Sequence, residues 1–166
     1  MTRMEKRVQA QANANFYSLW GSSDPEDRTA RYDEYRHCWM AYPSRFQVRE
    51  FPVHLDLEAS SRCNLRCTFC DKLPLLSRDQ LGDMDFDLYR KIIDEGEERQ
   101  LWSVKLSYRG EPLLNPRIAE MVAYAKRRGI VDIYFNSNGM LLTENMADKL
   151  IAAGLDRISI SVEGVD

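Results

Sequence analysis

The chain has 166 residues, 44% of them hydrophobic and 30% charged, with a formal net charge of −3. This suits one globular domain with an appendage. The charge argues against a general nucleic-acid or membrane-surface binder, and no apolar run approaches the ~18 residues of a membrane span, so neither partner is expected.

The opening "MTRMEKRVQAQANANF" lacks the apolar core of a secretory signal. A cytoplasmic, reducing setting is expected. There, clustered cysteines read as metal-binding or catalytic before they read as disulfides. Residues 1–52 are polar, helix-prone and dotted with aromatics, and form a helical N-terminal extension in this reading. Asp24 can cap a helix that Pro25 opens, and Glu26 and Asp27 suit its positive end. Pro43 and Pro52 bracket the connection to the rest.

From residue 53 the pattern becomes strand–helix alternation. "VHLDLEA", "VKLSYR", "VDIYFNSN" and "RISISVEG" each alternate polar and apolar residues over strand length. Between them lie three helical segments: "MDFDLYRKIIDEGEERQ", "NPRIAEMVAYAKRRG" and "TENMADKLIAAG". Asn115 should cap the second, with Pro116 in its first turn and Gly129 as its stop. The order βαβαβαβ implies right-handed crossovers and a parallel sheet.

Strands covered by helices on both faces usually read as continuous apolar runs. These four carry polar side chains at alternate positions, so one face looks into something polar. A partial barrel fits better than a doubly wound sheet. Catalytic groups in such folds sit at the carboxyl ends of strands, and there lies "CNLRCTFC", with Cys63, Cys67 and Cys70. Three thiolates can hold three corners of a [4Fe–4S] cluster and leave one iron open. A structural zinc site, with His54, His37 or Cys38 as fourth ligand, and chance clustering are the other readings.

The cysteine spacing resembles the CxxxCxxC motif of the radical S-adenosylmethionine (radical SAM) superfamily, in which an aromatic, here Phe69, often precedes the last cysteine. "RGEPLLNP" at 109–116 is similar to the family's GGEP motif, "SNG" at 137–139 to its TNG motif, and "SISVEG" to the serine-bearing end of its fourth strand. The resemblance covers about residues 53–166. It implies an α/β fold: a partial (β/α)6 TIM-like barrel, here truncated after the fourth strand, with residues 53–166 as its first four strand–helix units.

The resemblance further implies an enzyme, an oxidoreductase in kind. Cys63, Cys67 and Cys70 bind the cluster, and its open iron chelates the methionine part of SAM. Gly110 and Glu111 receive the methionine amino group. Phe69 approaches the adenine, largely through its backbone, and Ser137, Asn138 and Ser161 bind ribose or carboxylate. Reductive cleavage then gives a 5′-deoxyadenosyl radical that abstracts hydrogen from an unknown substrate. An electron donor such as flavodoxin or ferredoxin is implied as partner. "MDFDLYRKIIDE" and "RGEPLLNP" look most like members with a cysteine-rich C-terminal extension of the SPASM type. The missing barrel units then belong to further sequence or a partner chain. The alternative is a non-catalytic iron–sulfur or zinc-binding module, or an incomplete subunit.

Arg109 departs from the pattern, standing where many members have glycine. Asp56 and Glu58 face the site side, where contact with substrate is one reading and pairing with Lys105 or Arg109 is the favoured one. Cys38 reads as a packed helix residue, and the histidines as structural.

Overall fold

The structure, a computed structural model, describes residues 30–70 and 81–162. Four strands, β1 (His54–Asp56), β2 (Ser103–Lys105), β3 (Asp132–Ser137) and β4 (Arg157–Ile160), form one parallel sheet in chain order. Helix α1 (Ala30–Ser44) precedes it, and α2 (Phe86–Glu98), α3 (Ile118–Arg127) and α4 (Glu144–Ala153) make the three crossovers. A doubly wound sheet reverses its strand order at a switch point. This sheet does not, as a barrel wall requires.

The register divides the residues between two faces. Leu55, Val104 and Ile133 stand level across β1, β2 and β3. With Leu106 and Phe135 they meet Tyr89 and Ile93 of α2, Ile118, Met121 and Val122 of α3, and Leu150 of α4 in the main core. Each such aliphatic contributes about 2 kcal/mol by leaving water.

The opposite face is polar, as the alternation predicts. His54, Ser103 and Asp132 form one row across it, and Asp56, Lys105, Tyr134 and Arg157 the next. A charge in such a place needs a partner. Asp132, whose side chain is 1% exposed, has Arg157 at 2.9 Å. His54 Nδ1 lies 2.9 Å from Ser103 Oγ and Nε2 3.0 Å from Asp56 Oδ1. The ring stacks on Tyr134 and meets Trp39 edge-on.

Helix α1 closes the amino ends of the strands. Its Tyr35 and Cys38 pack with Trp102, flanked by Val53 and Val131, the residues that immediately precede β2, β1 and β3. This helix therefore sits at the end of the sheet opposite the cysteine loop. Pro43, expected in the connection, lies inside the last turn of α1. The helix start expected at Asp24 lies outside the described residues.

Local chemistry sets the other ends. Asp85 Oδ1 accepts from Leu88 N at 2.8 Å to cap α2, and Thr143 Oγ1 accepts from Met146 N to cap α4. Gly154 stops α4 at φ +88°, where a side chain would be strained. The cap expected at Asn115 is corrected: α3 begins at Ile118, and Arg117 precedes it without a side-chain cap bond. Asn115 instead accepts from Arg117 N and donates Nδ2 to Ala59 O, both at 2.8 Å. Its amide is drawn to the start of the cysteine loop. Among the described residues no helix is long and apolar enough to cross a membrane.

Candidate functional site

The loop that carries the cysteines leaves β1 through residues 57–62 and is anchored on both sides. On one side, Ser61 N donates to Gly82 O at 2.9 Å, Met84 N donates to Ala59 O at 3.0 Å, and Arg62 pairs with Asp83. On the other lies the turn after β2. Glu58 Oε1 accepts from the main-chain N–H groups of Arg109 and Gly110 at 2.8 and 2.9 Å. Glu111 N donates to Arg62 O at 2.7 Å. The two backbones approach so closely that a Cβ on Gly110 would stand 1.8 Å from Ser60 O. Only glycine fits there.

Glu111 is 2% exposed and its carboxylate accepts three hydrogen bonds within the protein. Oε1 accepts from Ser137 Oγ at 2.8 Å and Leu113 N at 3.0 Å, and Oε2 accepts from Asn138 N at 2.8 Å. The Ser137 hydroxyl also accepts from Gly139 N at 3.0 Å. Glu111 and Ser137 thus join the ends of β2 and β3 from beneath. Asn138 continues the link to the cysteine loop: its Nδ2 donates to Asn64 Oδ1 at 2.8 Å and approaches Cys63 Sγ at 3.9 Å.

Cys63 is exposed, Cys67 and Cys70 half-buried, and all three are free thiols. Cys70 N donates to Cys67 O at 3.1 Å in a tight turn, and Leu65 N–H points at Cys63 Sγ from 3.5 Å. The other ligands considered for a zinc site lie elsewhere. Cys38 is buried beside Trp102 at the amino end of the sheet, His37 is exposed on α1, and His54 is bound to Asp56 and Ser103. Among the described residues no three His, Cys, Asp or Glu side chains converge as one metal ion would need. A cubane bonds each thiolate to a different iron, so its ligands need not converge on one point. Three free thiols on one short, doubly anchored loop fit a [4Fe–4S] cluster.

The remaining expected residues surround this loop. Phe69 is 68% exposed. Ser161 N donates to Ser137 O at 2.9 Å, which sets it beside the end of β3. The Arg109 guanidinium lies over the Tyr108 ring, 5.1 Å from its centre. Glu58 was expected to pair with a basic side chain, and it serves main-chain N–H groups instead. The signal was there: an acidic side chain on the site side of one strand end, opposite a Gly-Glu-Pro turn. Asn64 was missed because nothing local marks it.

Deeper on the polar face, burial holds His54 below its ordinary value near 6.5, although the Asp56 carboxylate pulls the other way. Burial also pushes the Tyr134 hydroxyl up. It raises Asp156 too, against the opposing pull of Lys126.

Residues 57–166 match the family model described as the Radical SAM superfamily. The tungsten-containing aldehyde ferredoxin oxidoreductase cofactor-modifying protein of Pyrococcus furiosus is 40% identical over 111 residues, covering 66% of this chain and 30% of that protein. A probable GTP 3′,8-cyclase of Methanococcus maripaludis is 35% identical over 127 residues, 72% of this chain and 38% of that protein. The chain therefore spans about a third of the length of these relatives. The crystal structure of BtrN in complex with AdoMet and 2-DOIA shares the fold, with a TM-score of 0.62 at 21% identity. The match covers 71% of this chain and 49% of that one.

Proposed function

The chain belongs to the radical SAM superfamily, a family of enzymes that use a [4Fe–4S] cluster and S-adenosylmethionine, and from that premise we propose that Cys63, Cys67 and Cys70 hold the cluster of a hydrogen-abstracting enzyme. The observation that supports this most is the anchoring of one loop bearing three free thiols against the turns 109–111 and 137–139. When bound, the cluster and SAM supply an electron and a 5′-deoxyadenosyl radical that takes hydrogen from substrate.

The chain's own residues orient and shield. Glu58 fixes the 109–110 turn, and Gly110 lets it sit directly on the cysteine loop. Gly110 and Glu111 receive the methionine amino group. Because the Glu111 carboxylate already accepts three hydrogen bonds, main-chain carbonyls of this turn share that task. Phe69, exposed on the loop, lies against the adenine. Ser161 and the Ser137–Asn138 turn hold ribose or carboxylate. Arg109, stacked on Tyr108, keeps its charge at the rim of the site.

Radical SAM enzymes need a reductant, and flavodoxin or ferredoxin suits this one. An oxygen-sensitive cluster on free thiols suits the reducing cytoplasm. The test is anaerobic reconstitution of the protein. The reading expects about four irons and four sulfides per chain, and 5′-deoxyadenosine from SAM under a strong reductant. Bound zinc in place of the cluster would defeat it. A loaded cluster that never yields deoxyadenosine would favour a non-catalytic iron–sulfur module.

A further inference from the structure

We propose that Asn138 donates a hydrogen bond from Nδ2 to the Sγ of Cys63 and thereby raises the reduction potential of the cluster. The inference rests on the functional reading above, because it assigns Cys63 to a cluster corner.

The amide's orientation follows from its neighbours. The two ends of an asparagine amide are told apart by their partners. Met140 N–H points at one end from 3.0 Å, and an N–H requires an acceptor, so that end is Oδ1. The other end is therefore NH2, with two hydrogens. It faces two acceptors, Asn64 Oδ1 at 2.8 Å and Cys63 Sγ at 3.9 Å. The backbone is fixed as well, since Asn138 N donates to the buried Glu111 carboxylate. Asn138 is thus held at both its main chain and its side chain while one hydrogen is left for sulfur.

That hydrogen has an electrostatic consequence. Reduction adds negative charge to a cluster, and part of it resides on the thiolate sulfurs. A donor aimed at such a sulfur stabilises the reduced form more than the oxidised form and raises the potential. Leu65 N–H, 3.5 Å from the same sulfur, acts in the same direction. Its contribution is built into the loop, whereas that of Asn138 arrives from the turn after β3 and is set by one side chain.

The test is an anaerobic redox titration of the reconstituted full chain, followed by electron paramagnetic resonance without SAM. Iron and sulfide are measured in each sample. Asn138→Asp keeps the shape but replaces the donor by a carboxylate oxygen, and Asn138→Ala removes it. Both should shift the midpoint potential to more negative values at unchanged iron content, the aspartate further. Asn64→Ala removes the neighbouring acceptor but spares the sulfur contact, and should leave the midpoint near that of the wild type. Unchanged midpoints in both Asn138 variants overturn the proposal. So does an Asn64→Ala shift as large as that of Asn138→Ala, because the effect is then loop placement. If wild type loads the cluster and neither Asn138 variant does, Asn138 assembles the site and does not tune it. A wild-type chain that takes up no cubane defeats the functional reading itself, a separate result.

Discussion

The Glu111 carboxylate accepts the main-chain N–H of Asn138 at 2.8 Å, and that bond fastens the end of β2 to the end of β3. Leu113 N and Ser137 Oγ share the same carboxylate. Removing it in Glu111→Ala would leave three buried or half-buried donors without an acceptor. Each such loss costs about 1–3 kcal/mol, partly offset where water can enter. We expect a loss of about 3 kcal/mol in urea unfolding. SAM affinity should fall with it, because the turn proposed to receive the methionine amino group loses its support. A variant of wild-type stability would show that the carboxylate is not the fastening described.

Gly110 lies where a Cβ would meet Ser60 O at 1.8 Å and Arg62 O at 2.8 Å. Both are main-chain atoms and cannot swing aside. Gly110→Ala must push the 109–111 turn from the cysteine loop and break at least one Glu58 bond. Iron and sulfide per chain after reconstitution should fall well below wild type, while far-ultraviolet circular dichroism stays near normal. Full cluster loading in this variant would contradict the close approach.

These two positions also show how much was legible in the sequence. Period-two alternation located all four strands, because the inner face is polar even where buried: Ser107 and Asp132 carry the pattern as clearly as Val104 and Ile133. The second strand begins one residue earlier than that reading, at Ser103, and ends at Lys105. Thr143 and Gly154 marked the ends of α4 because their partners are local. Asn115 misled because its amide is claimed by Ala59, 56 residues away in sequence, a contact no local rule anticipates. The same holds at the site. Spacing singled out Cys63, and the family resemblance of the "GEP" and "SNG" stretches singled out Glu111 and Ser137. That the Glu111 carboxylate is spent on Ser137 and Asn138, and that Glu58 holds main-chain N–H groups, follows only from the sheet bringing three strand ends together.

The four cysteines divide into two kinds. Cys67 stands in the loop with Cys63 and Cys70, and Cys38 is packed against Tyr35 and Trp102 at the far end of the sheet. Cys67→Ala should abolish the cluster and its visible absorbance. Cys38→Ala should leave iron content unchanged. As a small buried side chain packed as a hydrophobe, it should cost about 1 kcal/mol in unfolding. Loss of metal in Cys38→Ala would restore the zinc reading with Cys38 as a ligand.

His54 gives the pH dependence a sign. Its side chain is 11% exposed, between Asp56 and Lys105 on the second row, Ser103 and Asp132 on the first, and the rings of Tyr134 and Trp39. Burial disfavours the imidazolium and outweighs the Asp56 carboxylate, so the folded state titrates below the unfolded chain's value near 6.5. Between those two values the unfolded chain binds more protons, and stability rises with pH. The contribution is fully present above about pH 6.5 and is lost as pH falls, at no more than about 1.4 kcal/mol per pH unit, until the folded value is reached. Asp156, raised by burial, titrates in both wild type and a His54 variant, so its contribution cancels in the difference. Unfolding free energies from pH 5 to 8 should therefore decline towards acid in the wild type and run flatter in His54→Gln. A steeper acid decline in the variant would mean that Asp56 wins over burial and that His54 is held as the cation.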